Sequence, residues 1–498
     1  MKKVILLFTF IMLIFLGACV NDTTSKGYNL SYYELIPSLS IGEISLNPNE
    51  DINLISLGGE HSAITTTDNR MFTWGINNFG QLGVLDDESQ SSPIDITSVL
   101  NLQDNESITL LSLGERHTGI VTSTNRILVW GANTYGQLGD GTRTGRFSPV
   151  DITNKFDFES GETIVQLDFG YTHSTLLTSF GNVYTWGNNA TGQLGNNTIV
   201  NSSIPINITS FFMLEGEEKI VDISLGYVHS LALSSTGDVF AWGNNPYGQI
   251  GNGTTNLYIA PHNITDNLIL NSNETVTDVT AGEYHSALIT SQGRIYTWGR
   301  NHYGQIGNNT TVNQLLPIDI TSAFDLVGTD LITQVSLGNA YSMAVTESNK
   351  FFIWGSLTNG SITETLNDNY LEPHELTQEL LMTLLDQEVE ISSGATHSAI
   401  LSSNGEILIW GMNSKGQLGN GTTNNSLLPI SIVQSNLKPV LLKTIKLAAN
   451  ESISTYLPEK SGFSFDGWYT TEAMNDLWAI NSMPSNDVSL YGVWTIAP

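Results

Sequence analysis

The chain has 498 residues, more than a single hydrophobic core usually holds, so at least two domains are expected. Only 13% of residues are charged against 40% hydrophobic, so uncharged amides and hydroxyls supply most of the polar surface. Eighteen basic against 48 acidic residues give a net charge of −30, which argues against nucleic acid and against a purely electrostatic grip on anionic lipid. One cysteine rules out both an intrachain disulfide framework and a cysteine-based zinc site.

The N-terminus reads as an export signal. Lys2 and Lys3 precede an apolar run, Val4 to Phe15, which ends in Leu16-Gly17-Ala18-Cys19. Two small residues ahead of the only thiol resemble the lipobox of bacterial lipoproteins. The resemblance implies a diacylglyceryl group on Cys19, cleavage before it, and a mature chain lipid-anchored on the outer side of a bacterial cell membrane. Two acyl chains would anchor stably, at ~0.8 kcal/mol per buried methylene. An ordinary cleaved signal with an incidental cysteine is the alternative, as is an uncleaved membrane helix at the short limit for a span. The placement of the sole cysteine favours the lipoprotein. Residues 19–36 then form the lipidated start and a tether.

Residues 37–436 are a repeat array. A Trp-Gly pair recurs every 56 residues at Trp74, Trp130, Trp186, Trp242, Trp298, Trp354 and Trp410. A histidine stands thirteen positions before six of them, at His61, His117, His173, His229, His285 and His397, with Tyr341 in the sixth slot. Proline keeps the same period from Pro37 to Pro429, eight copies for seven tryptophans, so either terminal copy could supply the outer strand of the closing unit. A Gly-Gln-Leu/Ile-Gly turn follows the Trp-Gly pair in six units.

Within the second unit, Ile108 to Leu113, His117 to Thr122 and Ile127 to Trp130 are short strand-like runs. Gly131 to Thr144 is a glycine-rich loop, and the run from Pro149 suits an edge strand, where a missing amide donor costs nothing. Four short strands per unit, seven times over, predict an all-β seven-bladed propeller. Gly-x-x-His, then Trp-Gly-x-Asn-x-x-Gly-Gln-Leu-Gly, then Pro, resembles the regulator of chromosome condensation repeat. That resemblance implies the same propeller, and it leaves the function open.

From Leu437 the pattern changes. Leu441 to Ala448 alternates as a strand, and Gly462-Phe463-Ser464-Phe465-Asp466-Gly467-Trp468-Tyr469, Met483-Pro484 and Ser489-Leu490-Tyr491-Gly492-Val493-Trp494 follow. These resemble the B-repeat of internalin-type surface proteins (the Listeria–Bacteroides repeat). The resemblance implies a small β-grasp-like module over 437–498.

No catalytic constellation stands out. The six histidines and seven tryptophans recur once per blade, as a structural requirement does; a catalytic residue would appear once. The imidazoles are expected to hydrogen-bond across the turn from the glycine and hold the blade edge. A metal ring is disfavoured because ligands must converge at ~2 Å. The Gly-Gln turns lack the Lys-Ser/Thr of a phosphate cradle, and no cofactor is implied. Loops that vary on a fixed frame are where binding residues sit. The candidates are Arg116, Tyr171, Tyr227, Glu283 and Tyr284 between glycine and histidine, with Tyr247 and Tyr303 before the Gly-Gln turn; scattered surface aromatics are the alternative. The expected protein is a non-enzymatic, monomeric, lipid-anchored surface protein that binds a surface protein or a glycan. An exchange factor or enzyme built on the propeller is the second possibility; the resemblance implies that exchange depends on an inserted wedge, and the uninterrupted spacing leaves no room for one.

Overall fold

The 56-residue period becomes seven four-stranded antiparallel sheets, each built from one contiguous stretch of chain with strand order equal to chain order. The computed structural model describes residues 10–17, 27–35, 44–356, 369–376, 389–403, 405–433, 440–448, 463–469 and 490–496, the strands before 44 and after 433 by backbone course alone. Blade one is Ile52–Leu57, His61–Thr66, Met71–Gly75 and Gln90–Asp95. Blade seven is Val389–Ser393, His397–Ser402, Ile407–Gly411 and Ser426–Ser431. First strands of successive blades meet around a central axis. Second and third strands are buried along their whole length, which is why they read as continuous apolar and hydroxyl runs rather than alternating ones. Fourth strands are half-exposed edges, and there proline is tolerated.

The tryptophans are fully buried and bind blade to blade. Trp130 Nε1 donates to the Gln81 carbonyl in the turn of the preceding blade at 2.9 Å. The turn must approach the indole closely: a Cβ on Gly83, whose φ is +79°, would lie 2.9 Å from Trp130 Nε1, so only glycine fits. The adjoining Asn77 side chain accepts from the Leu82 amide at 2.9 Å and fixes the loop.

The histidines correct one expectation. Their rings do pack on the repeat glycine, but the hydrogen bond crosses to the next blade instead of closing the turn. His61 Nε2 lies 2.9 Å from Thr118 Oγ1, and the same bond links His117 to Ser174, His173 to Ser230, His229 to Ser286 and His285 to Ser342. Each hydroxyl in turn donates to the Gln carbonyl of the earlier blade, as Thr118 does to Gln81 at 2.8 Å. The hydroxyl's only proton is thus spent, so the histidine must donate through Nε2–H. Its bare Nδ1 faces the glycine without a partner. Burial holds these imidazoles neutral, with pKa values pushed down to about 3.

Pro429 lies in the fourth strand of blade seven, and Pro37 lies outside the described residues. The ring therefore closes without exchanging a strand. His397 to Ser62, Trp74 Nε1 to the Gln417 carbonyl, and a parallel bridge between Ile44 and Val433 join blade seven to blade one. In blade six the Tyr341 hydroxyl accepts from Ser398 Oγ at 2.8 Å and faces the His397 and Gly394 carbonyls at 2.9 and 3.1 Å. The divergent segment 360–363 lies outside the described residues, as does Cys19.

At the opposite end of the blades runs a second period that the sequence reading passed over. Glu50, Glu106, Glu162, Glu218, Glu274 and Asp330 follow one another at 56 residues. Glu50, Glu106 and Glu274 pair with Arg70, Arg126 and Arg294. Glu162 accepts from Asn182, and Asp330 from Ser348 and Thr346.

Residues 41–433 form one compact unit, and 1–40 with 434–498 form another. In the second unit Val440–Ala448, Phe463–Tyr469 and Leu490–Ile496 are strands, at the segments expected from the B-repeat motif. Their five-stranded sheet also takes in Gly27–Leu35 and Phe10–Gly17, the latter paired with Leu490–Ile496. In the whole chain the apolar N-terminal segment is a β-competent run that covers strand edges which would otherwise be open. Among the described residues no helix is long and apolar enough to cross a membrane.

Candidate functional site at the mouth of the axial channel

The Gly-x-x-His turns and the loops after the third strands emerge at the same end of every blade. The first strands and the Gly-x-x-His turns line an axial cavity of about 690 Å³. Its wall is built by register. Two positions before the repeat glycine, first strands present Ser56, Ser112, Asp168, Ser224, Thr280, Ser336 and Ser392 to the axis. One or two positions after the glycine come Glu60, Glu115, Tyr171, Tyr227, Glu283, Asn339 and Thr396. With Glu390, five carboxylates line the cavity, and among its described lining residues there is no lysine, arginine or histidine.

Several of these carboxyls are poorly solvated. Burial pushes Asp168 up to about 6 against two backbone amides, Leu225 and Phe169, that favour its charge. Asp222, two residues behind Ser224, rises to about 7 through burial and the neighbouring Asp278. Glu283 rises to about 7 because burial, with Glu115 adding repulsion, outweighs the nearby Arg300. Burial raises Glu115 as well, with Arg116 opposing and Glu60 adding. The acids of blades one, two and five therefore feel one another across the mouth. Inner-strand side chains also stitch blades together: Gln166 donates to the Ile223 carbonyl at 2.7 Å, and Asp168 accepts from the Leu225 amide at 2.7 Å.

Beside the mouth lies a continuous aromatic arc. Tyr171 stacks on Tyr227 with ring centroids 3.7 Å apart, Tyr227 neighbours Tyr284 at 5.3 Å, and Tyr284 meets Tyr247 edge-on at 5.3 Å. Tyr247 in turn meets His302 at 5.6 Å. Arg300 sits at the centre, its guanidinium 5.4, 5.7 and 5.8 Å from the Tyr247, Tyr284 and Tyr303 rings and 3.8 Å from Glu283. Its Nε is buried without a partner.

Six of the seven candidate binding residues thus come together: Tyr171, Tyr227, Glu283, Tyr284, Tyr247 and Tyr303. Arg116 stands apart, 4.9 Å over the Phe79 ring and 4.0 Å from Glu115. The residue missed was Arg300. A signal existed: it follows Trp298-Gly299, where the other units carry Ile76, Ala132, Asn188, Asn244, Ser356 and Met412, so it alone is charged there. Glu60, Glu115 and Asp168 were missed as a group because neutral residues fill the matching positions of several other blades. No group of three or more potential metal-ligating side chains converges among the described residues.

Comparison with known proteins fits this frame. The RCC1-like domain model matches residues 31–385, and regulator of chromosome condensation (RCC1) repeat models match 389–417 and 404–449. The Listeria-Bacteroides repeat domain model matches 442–493. The ultraviolet-B receptor UVR8 of Arabidopsis thaliana is 29% identical over 331 residues, 66% of this chain and 71% of that one. The human E3 ubiquitin-protein ligase HERC2 is 27% identical over 71% of this chain, which spans only 7% of the ligase. Among solved structures, Prp20p of Saccharomyces cerevisiae superposes with a TM-score of 0.62 at 18% identity, covering 91% of this chain and 96% of Prp20p. Human WBSCR16 gives 0.61 at 22% identity, with 75% and 99% covered. Both structures share the fold.

Proposed function

The chain belongs to the RCC1-like domain family, and from that premise we propose that it is a non-enzymatic binding protein that captures its ligand at the tyrosine-lined mouth of the propeller. The observation that carries this reading is the convergence of Tyr171, Tyr227, Tyr284, Tyr247 and Tyr303 with Arg300 beside a cavity of about 690 Å³. Aromatic rings pre-packed against one another offer large contact area with little rotamer entropy left to lose. The frame behind them is rigid, since neighbouring blades are bonded through histidine, hydroxyl, tryptophan and glutamine, with Tyr341 in the histidine's place between blades six and seven.

The address belongs to the same proposal. The Leu16-Gly17-Ala18-Cys19 motif supports lipidation and an extracytoplasmic surface location, and the Listeria-Bacteroides repeat supports a surface role. Exchange activity on a GTPase has only likeness of fold behind it. The test is a screen of the detergent-solubilised full chain against glycan and surface-protein arrays, repeated with Tyr227→Ala and Arg300→Met. A ligand lost by both variants supports the mouth as the site; a ligand indifferent to both removes it. Separately, Cys19→Ala should abolish acylation and membrane partitioning of the processed chain. Processed protein that still partitions into detergent would sink the anchor.

A further inference from the structure

We propose that the occupant of the mouth is a basic extended segment of a partner polypeptide, its arginine or lysine side chains entering among Glu60, Glu115 and Glu283 along the tyrosine arc. The inference rests on the reading of this face as the binding face and gives its ligand a chemistry.

The first argument is charge. Five carboxylates and, among the described residues, no cation line the cavity, while Asp222 and Asp278 neighbour each other in the first strands of blades four and five. Carboxylates in a concave, partly desolvated site focus a negative potential and attract cations. Glu115 and Glu283 lack adequate counter-charge. Arg116 is 4.0 Å from Glu115 and turned over Phe79, while Arg300 is 3.8 Å from Glu283 and held over three rings. An incoming cation would supply what they lack. The mouth is also shaped for this: a Cβ on Gly59 would collide with the Glu115 carboxylate, so glycine there lets that side chain lie across the opening.

The second argument is independent of the acids. The rim already holds two guanidinium groups on aromatic faces, Arg300 on the tyrosine arc and Arg116 on Phe79. The chain's own side chains thus display the contact that the site would offer a partner's. Tyr171 and Tyr227 have no such cation over them among the described residues and are the two tyrosines of the arc that line the cavity, so their faces and edges are the ones left for the ligand. A neutral sugar would stack on the rings and donate hydroxyl hydrogen bonds to the carboxylates, but it would leave their charge unbalanced. An anionic ligand would meet five of them. A cavity of this size takes a few side chains, not a folded domain, so an extended segment is the form that fits.

The probe is a fluorescein-labelled (Arg-Gly)4 peptide, with (Glu-Gly)4 as its counterpart, titrated by anisotropy into the full chain at low and high salt. The expected result is salt-sensitive binding of the arginine peptide alone. The double variant Glu115→Gln/Glu283→Gln should bind at least tenfold more weakly. Asp87→Asn/Glu88→Gln, with the same change of charge on an exposed loop of blade one, should change affinity less than twofold. Should the first pair melt early, Asn339→Lys repeats the test: it sets a fixed cation at the same mouth position in blade six and should give the same loss. Equal losses from the mouth and outer pairs, or equal binding of both peptides, would overturn the proposal. A partner from the array screen that needs Tyr227 and Arg300 while the arginine peptide fails would also overturn it, yet would leave the binding face standing.

Discussion

His397 Nε2 lies 2.8 Å from Ser62 Oγ, a residue 335 positions earlier in the chain. Ser62 passes its own proton to the Gln417 carbonyl at 2.8 Å. This is the bond that every other histidine makes to the following blade, so the seam between the chain's two ends is built like an interior junction. Ser62→Ala strands a buried imidazole N–H and should cost about 2 kcal/mol. Ser174→Ala, which breaks the bonds to His117 and to the Gln137 carbonyl, should cost the same within about 0.5 kcal/mol. Urea unfolding of both variants checks this. A much smaller cost at Ser62 would mean that the ring is held shut elsewhere.

Stability should fall on the acid side and level off at about pH 7. The six repeat histidines have folded pKa values near 3 against 6.5 unfolded, so their contribution is complete above pH 6.5 and is lost as pH falls toward 3. Asp168, Asp222 and Glu283 act oppositely. Raised to about 6, 7 and 7, they favour the fold below their unfolded values, and that advantage is lost as pH rises through 6 to 7. At pH 5 the unfolded chain takes six protons on histidine, and the fold holds about three on these acids. Each excess proton is worth about 1.4 kcal/mol per pH unit. Thermal melts from pH 4 to 8 should show the fall, and a curve flat from pH 6 down to 4 would contradict it.

The sequence made the frame legible because one frame is written seven times. Strand number, the buried tryptophans and the fixed histidine slot all follow from the period of 56. What the period hid is what one blade does to the next. The histidine bond was expected within its own turn, yet its acceptor is 57 residues away. The tyrosine arc was visible as a set of candidates. Its centre, Arg300, was not, because a single charged residue after Trp-Gly carries no pattern. Part of the acidic wall could have been found by counting two and four residues back from each repeat glycine, which reaches Asp168 and Glu390; Glu60, Glu115 and Glu283 instead follow the glycine, in turns that change from blade to blade.

Blade six replaces the histidine with Tyr341, a change that neutral drift or a role in binding would each explain. The structure supports a third account, a different donor at the same junction. The phenol is fully buried, with its pKa pushed up to about 12 by burial, and takes the Ser398 hydroxyl while facing two carbonyls of blade seven. Tyr341→Phe therefore removes the bonds of the phenol to Ser398 Oγ and to the blade-seven carbonyls and should cost about 2 kcal/mol. An unchanged unfolding midpoint would return the residue to drift.

The tryptophan of blade seven differs from its repeats in the same way. Trp130 Nε1 has the Gln81 carbonyl at 2.9 Å, whereas Trp410 Nε1 is buried with no partner among the described residues. Replacing tryptophan by phenylalanine removes comparable ring area in both blades, but among the described residues only the blade-two change also breaks a hydrogen bond. Trp410→Phe should be the milder change by about 1 kcal/mol. Equal losses would show that the bond adds nothing to the packing.

Arg300 is the residue on which the aromatic arc turns, and its removal separates two of its roles. It lies over Tyr247, Tyr284 and Tyr303 and stands 3.8 Å from Glu283, whose charge it favours. Arg300→Met keeps the length and apolar stem and deletes the cation. Glu283 should then titrate above its present value of about 7, since the one neighbour lowering it is gone and burial and Glu115 remain. Arg300→Lys keeps a charge but not the flat guanidinium that stacks on a ring, so it should restore the Glu283 titration more than the ring contacts. Carboxyl chemical shifts followed against pH read the first effect, and near-ultraviolet circular dichroism of the tyrosines reads the second. If Glu283 titrates unchanged in Arg300→Met, the arginine serves the rings alone. If the dichroism is unchanged while Glu283 shifts, it serves the carboxylate, and the arc holds itself together through the stacked Tyr171 and Tyr227.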